Sequence, residues 1–132
     1  MRDVELLWDH IFGDSAGYLC LVHRSPTGLV HEYRRWPAER KAAVARVLEL
    51  GQRTDVYFGV RLFAEPRRAK STPGQVRALW ADLDSPIDLV DWPDDVPWPT
   101  AVVESGRGWH IYWALGRAIA PAEAERLVRA LA

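Results

Sequence analysis

Residues 77–84 read RALWADLD, and the rest of the chain takes its meaning from them. Ala78, Leu79, Trp80, Ala81 and Leu83 make a strand-like apolar run, while Asp82 and Asp84 place two carboxylates at its far end. A carboxylate taken out of water is costly unless something pairs with it. In a strand, residues two apart share a face with Cα atoms about 6.5–7 Å apart, so Asp82 and Asp84 look one way and Ala81 and Leu83 look into the packing. Such a pair of hard oxygen donors suits two Mg²⁺ or Mn²⁺ ions about 3.5–4 Å apart, the arrangement that drives in-line displacement at phosphorus. An Asp-x-Asp at a strand end is also an ordinary surface feature. A calcium loop starting at Asp82 is excluded, because its sixth position is Ile87 instead of Gly and its twelfth is Pro93 instead of Glu.

On the N-terminal side, Val4, Leu7, Trp8 and Ile11 follow the spacing of an amphipathic helix that ends near Gly13. GYLCLVHR (17–24) and LVHEYRRW (29–36) read as two strands joined across SPTG, a hairpin. Pro37 and the apolar positions Val44, Val47 and Leu48 predict a second helix over 37–50, stopped by Gly51. DVYFGVRLF (55–63) reads as one strand, and a polar loop with the cations Arg67, Arg68 and Lys70 leads into RALWADLD. On the C-terminal side, an acidic, proline-rich interval reads mainly as loop. TAVVES (100–105) and WHIYWAL (109–115) then read as strands. A last helix begins at Pro121, with Ala124, Leu127, Val128 and Leu131 on one stripe, and the chain stops inside it. Strands and helices are interspersed, with hairpins as well as crossovers, so the expected class is α/β or α+β with a mixed sheet.

The second constellation is 104-ESGRGWHIYW-113. Gly106 and Gly108 flank Arg107 and permit a tight turn whose backbone N–H groups converge on an anion, with the Ser105 hydroxyl and the Arg107 guanidinium as further donors. The turn is no P-loop, since no Lys-Ser/Thr follows and the next element is a strand. A Gly-x-Gly between strands is equally a plain hairpin turn. Alternation puts His110 on one face with Tyr112 and puts Trp109, Ile111 and Trp113 on the other. Beside two carboxylates and a glycine turn, His110 becomes a donor to a triphosphate oxygen.

The chain has 132 residues, 48% hydrophobic and 27% charged, the composition of a single globular domain. No apolar run approaches the roughly 20 residues of a membrane span, and the charged N-terminus is unlike a signal peptide, so a cytoplasmic location is expected. Cys20 is the one cysteine and reads as a buried thiol. Net charge is −1, which argues against a polybasic nucleic-acid binder. Residues 1–78 carry 13 Lys and Arg against 9 Asp and Glu, whereas residues 79–132 carry 4 against 9. That asymmetry suits a cation-binding centre beside a phosphate-binding flank, and equally a solvated surface. Seven tryptophans invite base stacking, but most of them, Trp80 and Trp113 included, read as core.

In order, ALWADLDS, an acidic proline-rich interval and PTAVVESGRGWHIYWAL resemble the catalytic core of the archaeo-eukaryotic primase superfamily, in particular its bifunctional primase-polymerases. The family's first motif is an apolar strand ending in Asp-x-Asp or Asp-x-Glu, matched by Asp82 and Asp84. Its second is Ser-Gly-x-Gly-x-His followed by Tyr-Trp, matched by Ser105, Gly106, Gly108, His110, Tyr112 and Trp113. The likeness runs over roughly residues 53–131. It implies a metal-dependent nucleotidyltransferase that makes and extends primers on single-stranded DNA. Asp82, Asp84 and His110 would form the catalytic set, with Mg²⁺ or Mn²⁺ on the two carboxylates. Ser105, Gly106, Arg107, Gly108 and His110 would bind the nucleoside triphosphate, while Arg67, Arg68 and Lys70 would meet nucleic-acid phosphates. It also implies an RNA-recognition-like sheet unit (53–132) joined to a small N-terminal α/β unit (1–52), and a helicase or another replication domain on the C-terminal side. The family's third motif, a further metal-binding acid beyond the last helix, has no match here, so the chain reads as a fragment truncated at its C-terminus. Two other readings stand beside this one: a glycosyltransferase holding Mn²⁺ on a nucleotide-sugar through Asp82 and Asp84, and a non-catalytic nucleic-acid-binding or assembly module.

Overall fold

The computed structural model describes residues 2–69, 73–83, 99–104 and 109–131. Helix α1 (Arg2–Phe12) forms where the apolar spacing predicts, and Gly13 ends it at φ +56°, a conformation other residues rarely adopt. Strands β1 (Gly17–Ser25) and β2 (Gly28–Trp36) form the expected hairpin, in register from Gly17 opposite Trp36 to Ser25 opposite Gly28. Pro26 and Thr27 make its two-residue turn. The Ser25 hydroxyl donates to the Gly28 carbonyl at 3.0 Å, and Gly28 sits at φ +131°.

Helix α2 (Arg40–Gly51) starts three residues later than Pro37 suggests, after a turn in which the Glu39 N–H donates to the Arg35 carbonyl. Strand β3 (Val56–Phe58) then pairs antiparallel with the other edge of β1. Strands β2 and β3 are therefore parallel to each other with β1 between them. The sequence shows a helical crossover, and the ladder it feeds is antiparallel. The same holds further on. Strands β5 (Gly74–Leu83) and β6 (Ala101–Glu104) each pair antiparallel with β7 (Trp109–Ile119), which lies between them. Every described ladder is antiparallel, in place of the mixed sheet expected, because in both halves a third strand separates the parallel pair.

The single strand expected over 55–63 is two, β3 and β4 (Leu62–Phe63). The Gly59 N–H still donates to the Cys20 carbonyl at 3.0 Å, and then Val60 and Arg61 leave the ladder. Their departure lets β4 meet β1 at Tyr18 on one side and β5 at Gly74 and Gln75 on the other. The sheet order is β2-β1-β4-β5-β7-β6, with β3 beside β4 on β1.

Helices α1 and α2 cover one face of this sheet. Trp8, Ile11 and Phe12 of α1 and Ala43 and Val44 of α2 pack with Leu19, Leu21, Trp36, Leu62, Ala78 and Tyr112. That cluster draws on residues from both sides of position 52. Helix α3 (Pro121–Leu131) lies on the opposite face, where Ala124 packs with Val76, Leu79, Ile111, Trp113 and Ile119. Leu127, expected on the apolar stripe of α3, is 37% exposed. Among the described residues no helix is long and apolar enough to cross a membrane.

Candidate metal and nucleotide site

The two motif segments, about 25 residues apart in sequence, meet as neighbouring strands. The ladder between β5 and β7 pairs Trp80 with Tyr112, Ala81 with Ile111, Asp82 with His110 and Leu83 with Trp109. On the far side of β7, Val103 stands opposite His110 and Glu104 opposite Trp109. Positions 82, 110 and 103 thus form one row across three strands. Residues directly opposite in an antiparallel pair have Cβ atoms about 4.5–5.5 Å apart on the same face. The row stands on the face that carries Ala78 and Tyr112, as alternation from Tyr112 to His110 requires. Ile111 and Trp113 are on the other face, packed with α3.

The row is fixed from below by ordinary packing. Tyr112 is buried and its ring stacks on Phe58 with centroids 6.3 Å apart. Thr100 clamps the entry to β6: its N–H donates to the Tyr112 carbonyl at 2.8 Å, and its hydroxyl accepts the Ala114 N–H at 2.9 Å. The His110 imidazole meets the Trp80 ring edge-on at a centroid distance of 6.0 Å. Trp80, expected in the core, is instead 41% exposed. Its sequence signal was its place two residues before Asp82, which by alternation puts it on the face of the row.

Asp84, Ser105, Gly106, Arg107, Gly108 and Lys70 lie outside the described residues. Asp82 is described by its strand register alone. Among the described residues no group of three His, Cys, Asp or Glu side chains is gathered to hold a metal ion.

The loop cations sit elsewhere. Arg67 and Arg68 are exposed on the segment that joins β4 to β5. The backbone N–H of Arg68 donates to the Tyr33 hydroxyl at 2.8 Å, which ties this loop to β2, and the Arg67 guanidinium lies 3.9 Å from Glu65. Beneath the loop, burial pushes the Cys20 thiol and the Tyr33 hydroxyl upward from their ordinary values, Arg68 opposing in both. Cys20 is fully buried and reduced, the inert thiol that its apolar surroundings predict. Arg61, which sequence reasoning did not single out, lies over the Phe63 ring at 4.3 Å and donates to the Ala69 carbonyl at 2.8 Å. Comparison with protein-family models, with curated proteins and with solved structures finds no match for this chain.

Proposed function

We propose that the chain is the catalytic part of a metal-dependent nucleotidyltransferase of the primase-polymerase type, extending primers on a single-stranded DNA template. The observation that carries this reading is the register that sets Asp82 opposite His110 on adjacent strands. The first carboxylate of one motif and the histidine of the other, separated by 27 intervening positions of chain, share one row at the end of the sheet where the Ser105–Gly108 segment joins β6 to β7.

Asp82 and Asp84 offer hard anionic oxygens, the donor set that Mg²⁺ and Mn²⁺ take. A divalent cation held there supplies positive charge against the triphosphate and lowers the pKa of an attacking 3′-hydroxyl. The residues of the chain do the positioning. His110, Ser105 and Arg107 donate to triphosphate oxygens, and the glycines at 106 and 108 let backbone N–H groups approach the same anion. Arg67, Arg68 and Lys70 contribute cationic contacts to nucleic-acid phosphates, which fix the strand without reading its sequence. In this reading residues 53–132 are an RNA-recognition-like sheet unit and the chain acts in the cytoplasm.

The test is calorimetric titration of the chain with deoxynucleoside and ribonucleoside triphosphates, with and without Mn²⁺, beside the double variant Asp82→Asn, Asp84→Asn. The expected outcome is Mn²⁺-dependent binding that the variant weakens by at least about tenfold, since it removes both charged ligands. Binding that ignores both Mn²⁺ and the double variant overturns the reading, as does a preference for a nucleotide-sugar over the bare triphosphate.

A further inference from the structure

Strand β4 covers β5 only at Gly74 and Gln75, and no described strand pairs with that edge of β5 from Val76 onward. Along this open edge lies a cavity of about 670 Å³ between β5, the 59–69 segment and the first turn of α3. Its lining includes Arg61, Phe63, Arg68, Leu79, Trp80 and Glu125. The volume falls within the roughly 300–1,000 Å³ of small-molecule sites.

The chemistry of the lining is specific. Two guanidinium-bearing residues come from one wall. Arg61 is half-buried, with its guanidinium carbon 4.3 Å from the centre of the Phe63 ring and the Ala69 carbonyl as a second anchor. Burial pushes its pKa down, the mark of a cation partly stripped of water. Arg68 is exposed at the mouth, its backbone anchored by Tyr33. Leu79 and Phe63 give an apolar wall, and Glu125 brings a carboxylate from α3. A guanidinium stacked on a ring, a second guanidinium and an apolar wall are the parts that hold a planar base and an adjoining phosphate. An acceptor such as Glu125 favours a base with an exocyclic amino group.

We propose that this cavity binds a nucleotide unit, a base with its phosphate, without a metal ion. The phosphate lies between Arg61 and Arg68 and the base against the Phe63 and Leu79 wall. The unit comes either from a free mononucleotide or from a strand threaded along β5. Trp80, which lines the cavity and touches His110, links it to the Asp82 row. The site is nonetheless separate from the carboxylate pair and does not depend on it.

Calorimetry with dAMP, and fluorescence anisotropy with a labelled (dA)₁₂ strand, both in EDTA, test this on the whole chain. The wild type is expected to bind dAMP. Arg68→Ala, at an exposed position, weakens binding about tenfold or more, and Ala124→Leu, which narrows the cavity from α3, does the same with thermal unfolding checked in parallel. Asp82→Asn, Asp84→Asn leaves this binding within about twofold, which separates it from the metal-dependent triphosphate site. Binding of both ligands assigns the site to a strand, and binding of dAMP alone assigns it to free nucleotide. Absence of binding to either ligand in EDTA, or binding untouched by both Arg68→Ala and Ala124→Leu, overturns the proposal.

Discussion

Among the described carboxylates, Glu32 is the one most strongly held in its ionised form. From β2 it accepts both nitrogens of the Arg46 fork at 2.8 and 2.7 Å, His23 Nε2 at 2.7 Å and Arg34 Nη2 at 3.2 Å. Its side chain is 18% exposed. The Arg46 hydrogen bonds lead in holding the carboxyl down to about 2 from an ordinary 4.5, against the opposing effect of burial. A carboxyl depressed on folding contributes stability that is complete above its unfolded pKa and is lost as pH falls through the folded value. The network's contribution should therefore be full above pH 4.5 and fade toward pH 2. Glu32→Gln is expected to cost roughly 1–3 kcal/mol at pH 7, and urea unfolding at pH 7 and pH 3 should show the gap to wild type narrowing with acid. By contrast the bidentate Arg40–Asp9 pair, with both side chains about a third or more exposed, adds little in water. None of the Glu32 network was legible in the sequence. Its members are spread from position 23 to position 46, and only the β1–β2 register and the path of α2 bring them together.

Elements were legible where their causes are local. The heptad-like spacing of α1, the Pro-Thr turn of the β1–β2 hairpin and Pro121 at the head of α3 each mark their own boundaries. The split between β3 and β4 was not legible, because β-branched and aromatic composition says nothing of where a strand changes partners. The joint is made by glycine. A side-chain carbon at Gly74 would run into the Leu62 carbonyl oxygen, and one at Gly17 would lie 2.8 Å from the Leu62 Cβ. The ladder from β1 to β5 closes only because both strands give up a side chain around Leu62. Gly74→Ala is expected to destabilise by about 1–3 kcal/mol, with backbone displaced on both sides. Amide exchange should then accelerate at Leu62 and Phe63 while the β1–β2 amides keep their protection. Equal acceleration in both places would contradict this. At the candidate site, alternation within 109–113 correctly put His110 with Tyr112, but the pairing of Asp82 with His110 is a long-range register, which no local pattern encodes.

Across the whole molecule, α1 holds the two halves of the sheet together. The Trp8 ring meets Trp36 at 6.3 Å and Phe58 at 5.8 Å, and Phe58 in turn stacks on Tyr112 of β7. Trp8 is 1% exposed. Trp8→Ala should cost about 3–5 kcal/mol. Because the cluster reaches from α1 to β7, the loss should lower one cooperative transition, with circular dichroism and tryptophan fluorescence still coincident. Two separated transitions would mean that the halves fold independently. The placement of the strands also has a consequence in time. As the chain emerges from a ribosome, residues up to Phe58 already give β1 a neighbour on each side, through a two-residue turn and one helical crossover. Strand β5 has no such fortune: its long partner β7 is made only after the stretch through β6, and until then the apolar face that receives Ala78 and Tyr112 stays open. The nascent N-terminal half thus carries a paired but unsealed sheet, and the row that contains Asp82 and His110 comes into being only once β7 has been made.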